Sequence, residues 1–261
     1  MANPMADDAS LELSADTLLG GRVTLLQPVK GYRAAIDPVF LAAAVPAKAE
    51  ETVLDVGVGV GAAALCLAAR VAEARVAGIE LRRELVRLAV RNAEANGLAR
   101  RVDFMVGDLV KAPRRLAPGS FHHVMANPPY RARGTGNLPP DPGRAAATVE
   151  GKAELNDWLA FCIRMMRDGG TVTLIHHYDR RDEVVSGLRR GAGGIVVCPL
   201  WPKQAGEGAK RVIIGARRGS PELLTILPGL ILHGEEGTYT EEAESMLRHG
   251  QPLALMCDGR P

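Results

Sequence analysis

Short runs rich in Val, Ile and other apolar residues recur along this chain, separated by segments with helical patterning. They fall at 52–58, 75–80, 102–107, 122–126, 171–176, 195–200 and 211–216. Strands that alternate with helices are joined by crossovers, so the pattern predicts a parallel sheet covered by helices. The segment 82–96 carries Leu85, Leu88, Ala89 and Val90 at helical spacing with Arg87, Arg91 and Glu94 outward, and Gly97 supplies the left-handed stop. A second helix is predicted over 153–167, where Leu155, Trp158, Leu159, Cys162, Ile163 and Met166 make one apolar stripe. Asp168-Gly169-Gly170 reads as the turn into the next strand.

At 261 residues and 47% hydrophobic composition, the chain can bury a core of that size within one domain, expected over 17–256. The segment 1–16 is rich in acid and lacks Lys and Arg, and it reads as a disordered tail. No apolar run reaches the roughly 18 residues of a membrane span, and the first residues lack a basic stretch leading into an apolar one; a cytoplasmic protein with no membrane partner is expected. Cys66, Cys162, Cys198 and Cys257 are widely separated, which suits buried thiols and offers no metal site. His122, His123, His176 and His177 read as strand residues, because adjacent strand positions face opposite ways. The net charge of +2 is small but uneven: 70–101 holds eight Arg against four Glu, and 179–218 nine basic residues against four acidic. Such stretches suit a phosphate-attracting face or an ordinary solvated helix surface.

The apolar run Val53-Leu54-Asp55-Val56 enters the glycine-rich turn Gly57-Val58-Gly59-Val60-Gly61, and a helix begins near Ala62. Glycines let the backbone approach a ligand, and the helix start offers free N–H groups. Gly57, Gly59 and Ala62 also satisfy a looser dinucleotide pattern, so glycines alone leave the cofactor open. Glu80, ahead of Leu81 at a strand end, suits the hydroxyls of a ribose, whether of NAD or of S-adenosylmethionine. Asp55 discriminates better: an anion ahead of the turn repels a pyrophosphate and suits a ligand bearing an ammonium and a sulfonium. Asp108, followed by Leu109, adds an acceptor where an adenine amine could be held.

Asn127-Pro128-Pro129-Tyr130 follows the strand at 122–126, at the carboxyl end where open α/β sheets bind ligands. Two prolines fix φ and remove two N–H donors, leaving a stiff segment that presents carbonyls and the Asn127 amide as acceptors. That arrangement fits a planar amine. Asn127 Oδ1 and the Pro128 carbonyl would accept its two hydrogens and raise electron density on nitrogen as a methyl arrives. Tyr130 would stack on the ring bearing the amine. The plain alternative is a turn that merely ends a strand.

Together these residues resemble the class I S-adenosylmethionine-dependent methyltransferases of the N-P-P-Y type, and within them the branch that methylates adenine N6 in a bacterial transfer RNA beside the anticodon. The resemblance implies a Rossmann-like class I methyltransferase fold, α/β, with a mostly parallel seven-stranded sheet and helices on both faces. It implies catalysis by Asn127, Pro128, Pro129 and Tyr130. It places Asp55, Gly57, Gly59, Gly61, Glu80, Leu81, Asp108, Leu109 and Asn127 around S-adenosylmethionine, whose product is S-adenosylhomocysteine. Leu18-Leu19-Gly20-Gly21-Arg22-Val23 and Gln27 to Arg33 are similar to that branch's cofactor-covering segment, which puts Lys30, Tyr32 and Asp37 near the cofactor or the target base. Downstream, Ala209 to Val212, Leu232-His233 and Gly237 to Thr240 are similar to its C-terminal strands. The branch often carries an Arg–His–Glu cluster after the tetrapeptide, whereas 145–150 keeps only the acid, Glu150.

Other substrates of the same tetrapeptide are release-factor glutamine, DNA adenine and ribosomal guanine N2. No separate N-terminal helical domain is expected, which argues against the first, and no added target-recognition domain, which argues against restriction-type DNA enzymes. A nicotinamide-dependent oxidoreductase would use Gly57, Gly59 and Glu80 but leave Asp55 and the tetrapeptide idle, and a non-catalytic RNA-binding module is a third possibility. For RNA, Arg131, Arg133 and Arg144 in the irregular loop 131–151 are expected to meet phosphates.

Overall fold

The computed structural model describes residues 12–31, 33–132, 148–206 and 208–256. Tyr32, Arg133, Arg144 and Cys257 lie outside the described residues. Strands β1 (Leu13–Leu18) and β2 (Val23–Pro28) form an antiparallel hairpin, followed by helix α1 (Asp37–Ala44). Then β3 (Thr52–Val56), α2 (Ala62–Arg70), β4 (Arg75–Glu80), α3 (Arg83–Ala95), β5 (Val102–Val106) and β6 (Phe121–Ala126) alternate. Helix α4 (Leu155–Met165) leads into β7 (Met166–His177), and α5 (Arg181–Leu188) into β8 (Ala192–Trp201) and β9 (Arg211–Arg218). Two-residue strands β10 (Thr225–Ile226) and β11 (Leu230–Ile231) precede α6 (Glu241–His249).

All seven expected strands are present, in the order β8-β9-β7-β6-β3-β4-β5; β10 and β11 both pair with β8, making nine strands. Strands β3 to β7 run parallel, and β9 is antiparallel to both β7 and β8. Two apolar clusters cover the two faces. One gathers α1, α2 and α3 with Phe40, Leu41, Leu65 and Leu67; the other gathers α4 and α5 with Leu155, Leu159, Cys162 and Leu188. Cys66, Cys162 and Cys198 are buried in these layers, and burial pushes the Cys66 and Cys162 thiols up to about 12.

Three local readings change. Leu13 to Asp16 belong to β1 and not to a disordered tail, because Asp16 accepts Arg33 at 2.6 Å and Gln27 at 3.0 Å. In α3, Leu88 and Ala89 are buried as the pattern requires, but Val90 is 38% exposed and Val86 takes the inward position. Met166 leaves the helix for β7, and Asp168-Gly169-Gly170 becomes an irregularity within that strand: Phe121 pairs with Met166, yet His123 pairs with Thr171. Gly169, at φ +72°, supplies the left-handed residue there. The histidines do serve the strands at their lower ends, where His122 Nδ1 meets Thr52 and His123 joins Glu51 and Thr171, each at 2.8 Å.

The hairpin is fastened to the sheet through α3. Fully buried Asn92 accepts Leu26 N–H through its side-chain oxygen and donates to the Leu26 and Val60 carbonyls. One side chain thus links the hairpin to the glycine-rich turn.

Candidate active site at the switch point of the sheet

Strand β3 lies between β4 on one side and β6 on the other, so the chain order reverses there and a crevice opens beyond the carboxyl ends of the strands. The glycine turn leaves β3 and Asn127 leaves β6, from neighbouring positions, since Val56 pairs with Ala126. Gly57 has φ +73°, and a Cβ there would collide with the indole of Trp158 from α4. Trp158 is therefore a packing residue beneath the turn. Gly61, at φ +92°, caps α2 in the left-handed conformation, whereas the side of Gly59 where a Cβ would stand is open.

Asp55 is buried at 3% exposure, and its Oδ2 has no hydrogen-bond partner among the described residues. Burial pushes its carboxyl up to about 7; the Ala64 N–H opposes the rise and nearby Glu80 adds to it. A buried carboxylate with an open lone pair is the environment that a cationic ligand would neutralise. Glu80 accepts Gly59 N–H at 3.1 Å and Arg82 N–H at 2.9 Å, and burial raises its carboxyl above the usual range. At the next strand end, Asp108 accepts Val110 N–H at 2.9 Å, so one of its oxygens caps the turn. Leu81 and Val110, 66% and 52% exposed, leave apolar surface beside Glu80 and Asp108. Leu109 instead packs on the core.

The tetrapeptide is held from three sides. The Tyr130 hydroxyl donates to Asp37 Oδ2 at 2.7 Å, and Arg211 Nε donates to the same oxygen at 2.9 Å. The Arg211 guanidinium also lies 4.2 Å from the Tyr130 ring centroid, so one face of that ring carries a cation. His176 meets the Tyr130 ring edge-on at 5.6 Å and lies 3.3 Å, through Nε2, from the Pro129 carbonyl. Burial first, then Arg180, lowers the imidazole to about 4, so His176 is neutral near pH 7 and donates from Nε2 to Pro129. Pro128 and Pro129 are buried, and the Asn127 side-chain oxygen is shielded from solvent.

Residues 148–150 lie against the end of the tetrapeptide. Arg131 N–H donates to the Thr148 carbonyl and Glu150 N–H to the Arg131 carbonyl, both at 2.9 Å. Glu150, alone in sequence after the expected cluster is lost, is buried and paired with Arg180. Arg180 sits in the short 3-10 turn Tyr178–Arg180 and also holds Glu183 at 2.7 Å.

Of the residues singled out from sequence, Asp55, the three glycines, Glu80, Leu81, Asp108 and Asn127 to Tyr130 line up at these adjacent strand ends, and Asp37 joins them through Tyr130. Lys30 is exposed after β2 and makes no hydrogen bond or ion pair among the described residues. Sequence reading missed Arg211, His176 and Arg180. Arg211 fell in the stretch 209–212, Arg180 in the basic stretch 179–218, and His176 read only as a strand residue, but nothing in their spacing pointed to the tetrapeptide.

A family model described as the methyltransferase small domain matches residues 35–138. The chain is 32% identical over 180 residues to a release factor glutamine methyltransferase of Rhodospirillum rubrum, covering 66% of this chain and 52% of that protein. The crystal structure of a predicted O-methyltransferase from Agrobacterium tumefaciens superposes with a TM-score of 0.69 at 26% identity, over 83% of this chain and 97% of that one. A tRNA1(Val) (adenine(37)-N6)-methyltransferase of Aeromonas hydrophila subsp. hydrophila is 30% identical over 207 residues, 78% of this chain and 84% of its own length. Because that last likeness extends far beyond the small-domain stretch and takes in most of both proteins, the chain belongs to the tRNA1(Val) (adenine(37)-N6)-methyltransferase family.

Proposed function

We propose that the chain transfers a methyl group from S-adenosylmethionine to the exocyclic amine of an adenine in transfer RNA, acting in the cytoplasm. The observation that carries this reading is the pairing of Val56 with Ala126, which sets a buried, partly unsatisfied Asp55 beside the Asn-Pro-Pro-Tyr segment. S-adenosylmethionine, when bound, supplies an electrophilic methyl on a sulfonium. Asp55 would take its ammonium, Glu80 the ribose hydroxyls and Asp108 the adenine amine, with Leu81 and the glycine turn against the ring and chain.

The remaining work falls to the chain's own acceptors. Adenine N6 is a poor nucleophile because its lone pair is delocalised into the ring. Asn127 Oδ1 and the Pro128 carbonyl accept its two hydrogens, which favours a pyramidal nitrogen and stabilises the positive charge that develops there. The Pro129 carbonyl is already engaged by His176, so the segment keeps one orientation. Tyr130, fixed by Asp37 and Arg211, gives the base a rigid platform.

His176 acts as a positioning residue. His176→Ala should lower kcat about tenfold while the affinity for S-adenosylhomocysteine holds, since it removes the Pro129 anchor and the edge-on contact with Tyr130 and leaves Asp55, Glu80 and the glycine turn in place. Kinetics with purified transfer RNA check this. An unchanged kcat would mean the prolines alone hold the segment.

The function itself is tested by mass spectrometry of nucleosides from total RNA with and without the protein. A change confined to N6-methyladenosine in the transfer RNA fraction supports the proposal. A change in ribosomal N2-methylguanosine, or methylglutamine on a release factor, would replace it.

A further inference from the structure

With aromatic residues at only 4% of the chain, their placement is informative. Phe40, Phe104 and Phe161 are buried in the core and Phe121 packs against it. Tyr130, Tyr178 and Tyr239, by contrast, are half-buried. Tyr178 follows the end of β7, and its N–H donates to the Lys210 carbonyl at 3.1 Å, which places it next to Arg211 and so next to the Tyr130 platform.

Tyr178 repeats the arrangement at Tyr130. The Arg181 guanidinium lies 4.5 Å from its ring centroid, as Arg211 lies 4.2 Å from Tyr130. Trp201 neighbours Tyr178, with ring centroids 5.8 Å apart and planes tilted by 55°. The Arg181 side chain is 36% exposed, and its ion pair with Asp182 is long, at 3.5 Å, to a carboxylate that is itself 83% exposed, so it holds the guanidinium only weakly. Exposed Lys203 and Lys210 flank the loop between β8 and β9. Planar cations backed by phenol rings, with lysines beside them, match single-stranded nucleic acid, whose bases offer π-faces and whose phosphates seek cations.

We infer that Arg181, backed by Tyr178, is a second stacking platform that takes the nucleotide next to the target adenine in a single-stranded loop of RNA. The inference rests on the RNA reading above and adds a specific site to it. A base lies flat on the outward plane of the Arg181 guanidinium while the target base occupies the Tyr130 pocket. The two Arg–Tyr pairs then hold consecutive bases apart, which keeps the target unstacked from its neighbour.

The test is fluorescence anisotropy of the full chain with a labelled, short single-stranded RNA bearing a central adenine. Arg181→Ala and Tyr178→Ala should each weaken binding about tenfold. Arg181→Lys, which keeps the charge and loses the plane, should weaken it nearly as much, with the salt dependence of the parent. Unaltered binding of S-adenosylhomocysteine verifies that each variant is folded. Full affinity in Arg181→Lys would make Arg181 a phosphate contact and overturn the inference, as would full affinity in both Ala variants. Because no methyl transfer is read, failure here leaves the methylation reading standing, and failure of methylation leaves this binding result standing.

Discussion

Asn127→Ala should reduce kcat for methyl transfer to transfer RNA by about 100- to 1000-fold while leaving the affinity for S-adenosylhomocysteine within a few-fold of the parent. The magnitude follows from the role: Asn127 Oδ1 meets the amine most strongly when positive charge has built up on nitrogen, so its loss is felt in the transition state and little before it. Asn127→Asp is informative as well. It keeps an acceptor but adds a charge beside Asp55, whose carboxyl already sits at about 7, and should retain more activity than Ala at high pH only. Single-turnover kinetics with labelled donor separate the chemical step from binding. Equal losses in kcat and cofactor affinity for Asn127→Ala would make Asn127 a cofactor ligand and remove it from the chemistry.

The second large effect concerns Asp55. In the free protein its carboxyl stands at about 7 against 3.8 for an ordinary aspartate, and burial is the leading cause. The folded state therefore holds a proton between those values that the unfolded chain has released. Stability falls as pH rises through that window and levels off above about 7; the full cost is on the order of 4 kcal/mol. A ligand ammonium favours the ionised form, so binding releases a proton. Affinity for S-adenosylhomocysteine should then drop with falling pH below about 7, approaching tenfold per pH unit, and be flat above. Asp55→Asn should weaken that affinity about 100-fold at pH 8, abolish its pH dependence, and raise the melting temperature of the free protein at pH 8. Calorimetry in two buffers of different ionisation enthalpy measures the proton release. A variant that binds as the parent does, or that melts lower at pH 8, contradicts the assignment.

What could be read from sequence was whatever chemistry is local. The glycine turn announces itself because positive φ and a following helix are properties of a few adjacent residues, and Gly57 and Gly61 do take positive φ. The strand–helix alternation is legible for the same reason, as is the stiffness of consecutive prolines. The contacts that hold the tetrapeptide are not local. Tyr130 reaches Asp37 across 93 residues, Arg211 reaches Asp37 across 174, and His176 reaches Pro129 across 47. No periodicity carries such pairs, and His176 in isolation is just another strand residue. The acidic start of the chain misled because charge was counted without partners: Asp16 looks solvated until Arg33 and Gln27 fold back on it. At Met166 the helical stripe and the strand share a residue, and tertiary pairing with Phe121 decides for the strand.

The segment after β6 is proposed to grip an exocyclic amine beside the donor. Two synthetic stem-loops, one with adenine at the target position and one with unsubstituted purine there, offered to the protein with methyl-labelled S-adenosylmethionine, test it most directly. N6-methyladenosine is expected from the first and no incorporated label from the second. Equal label in both would mean that the methyl goes elsewhere on the RNA.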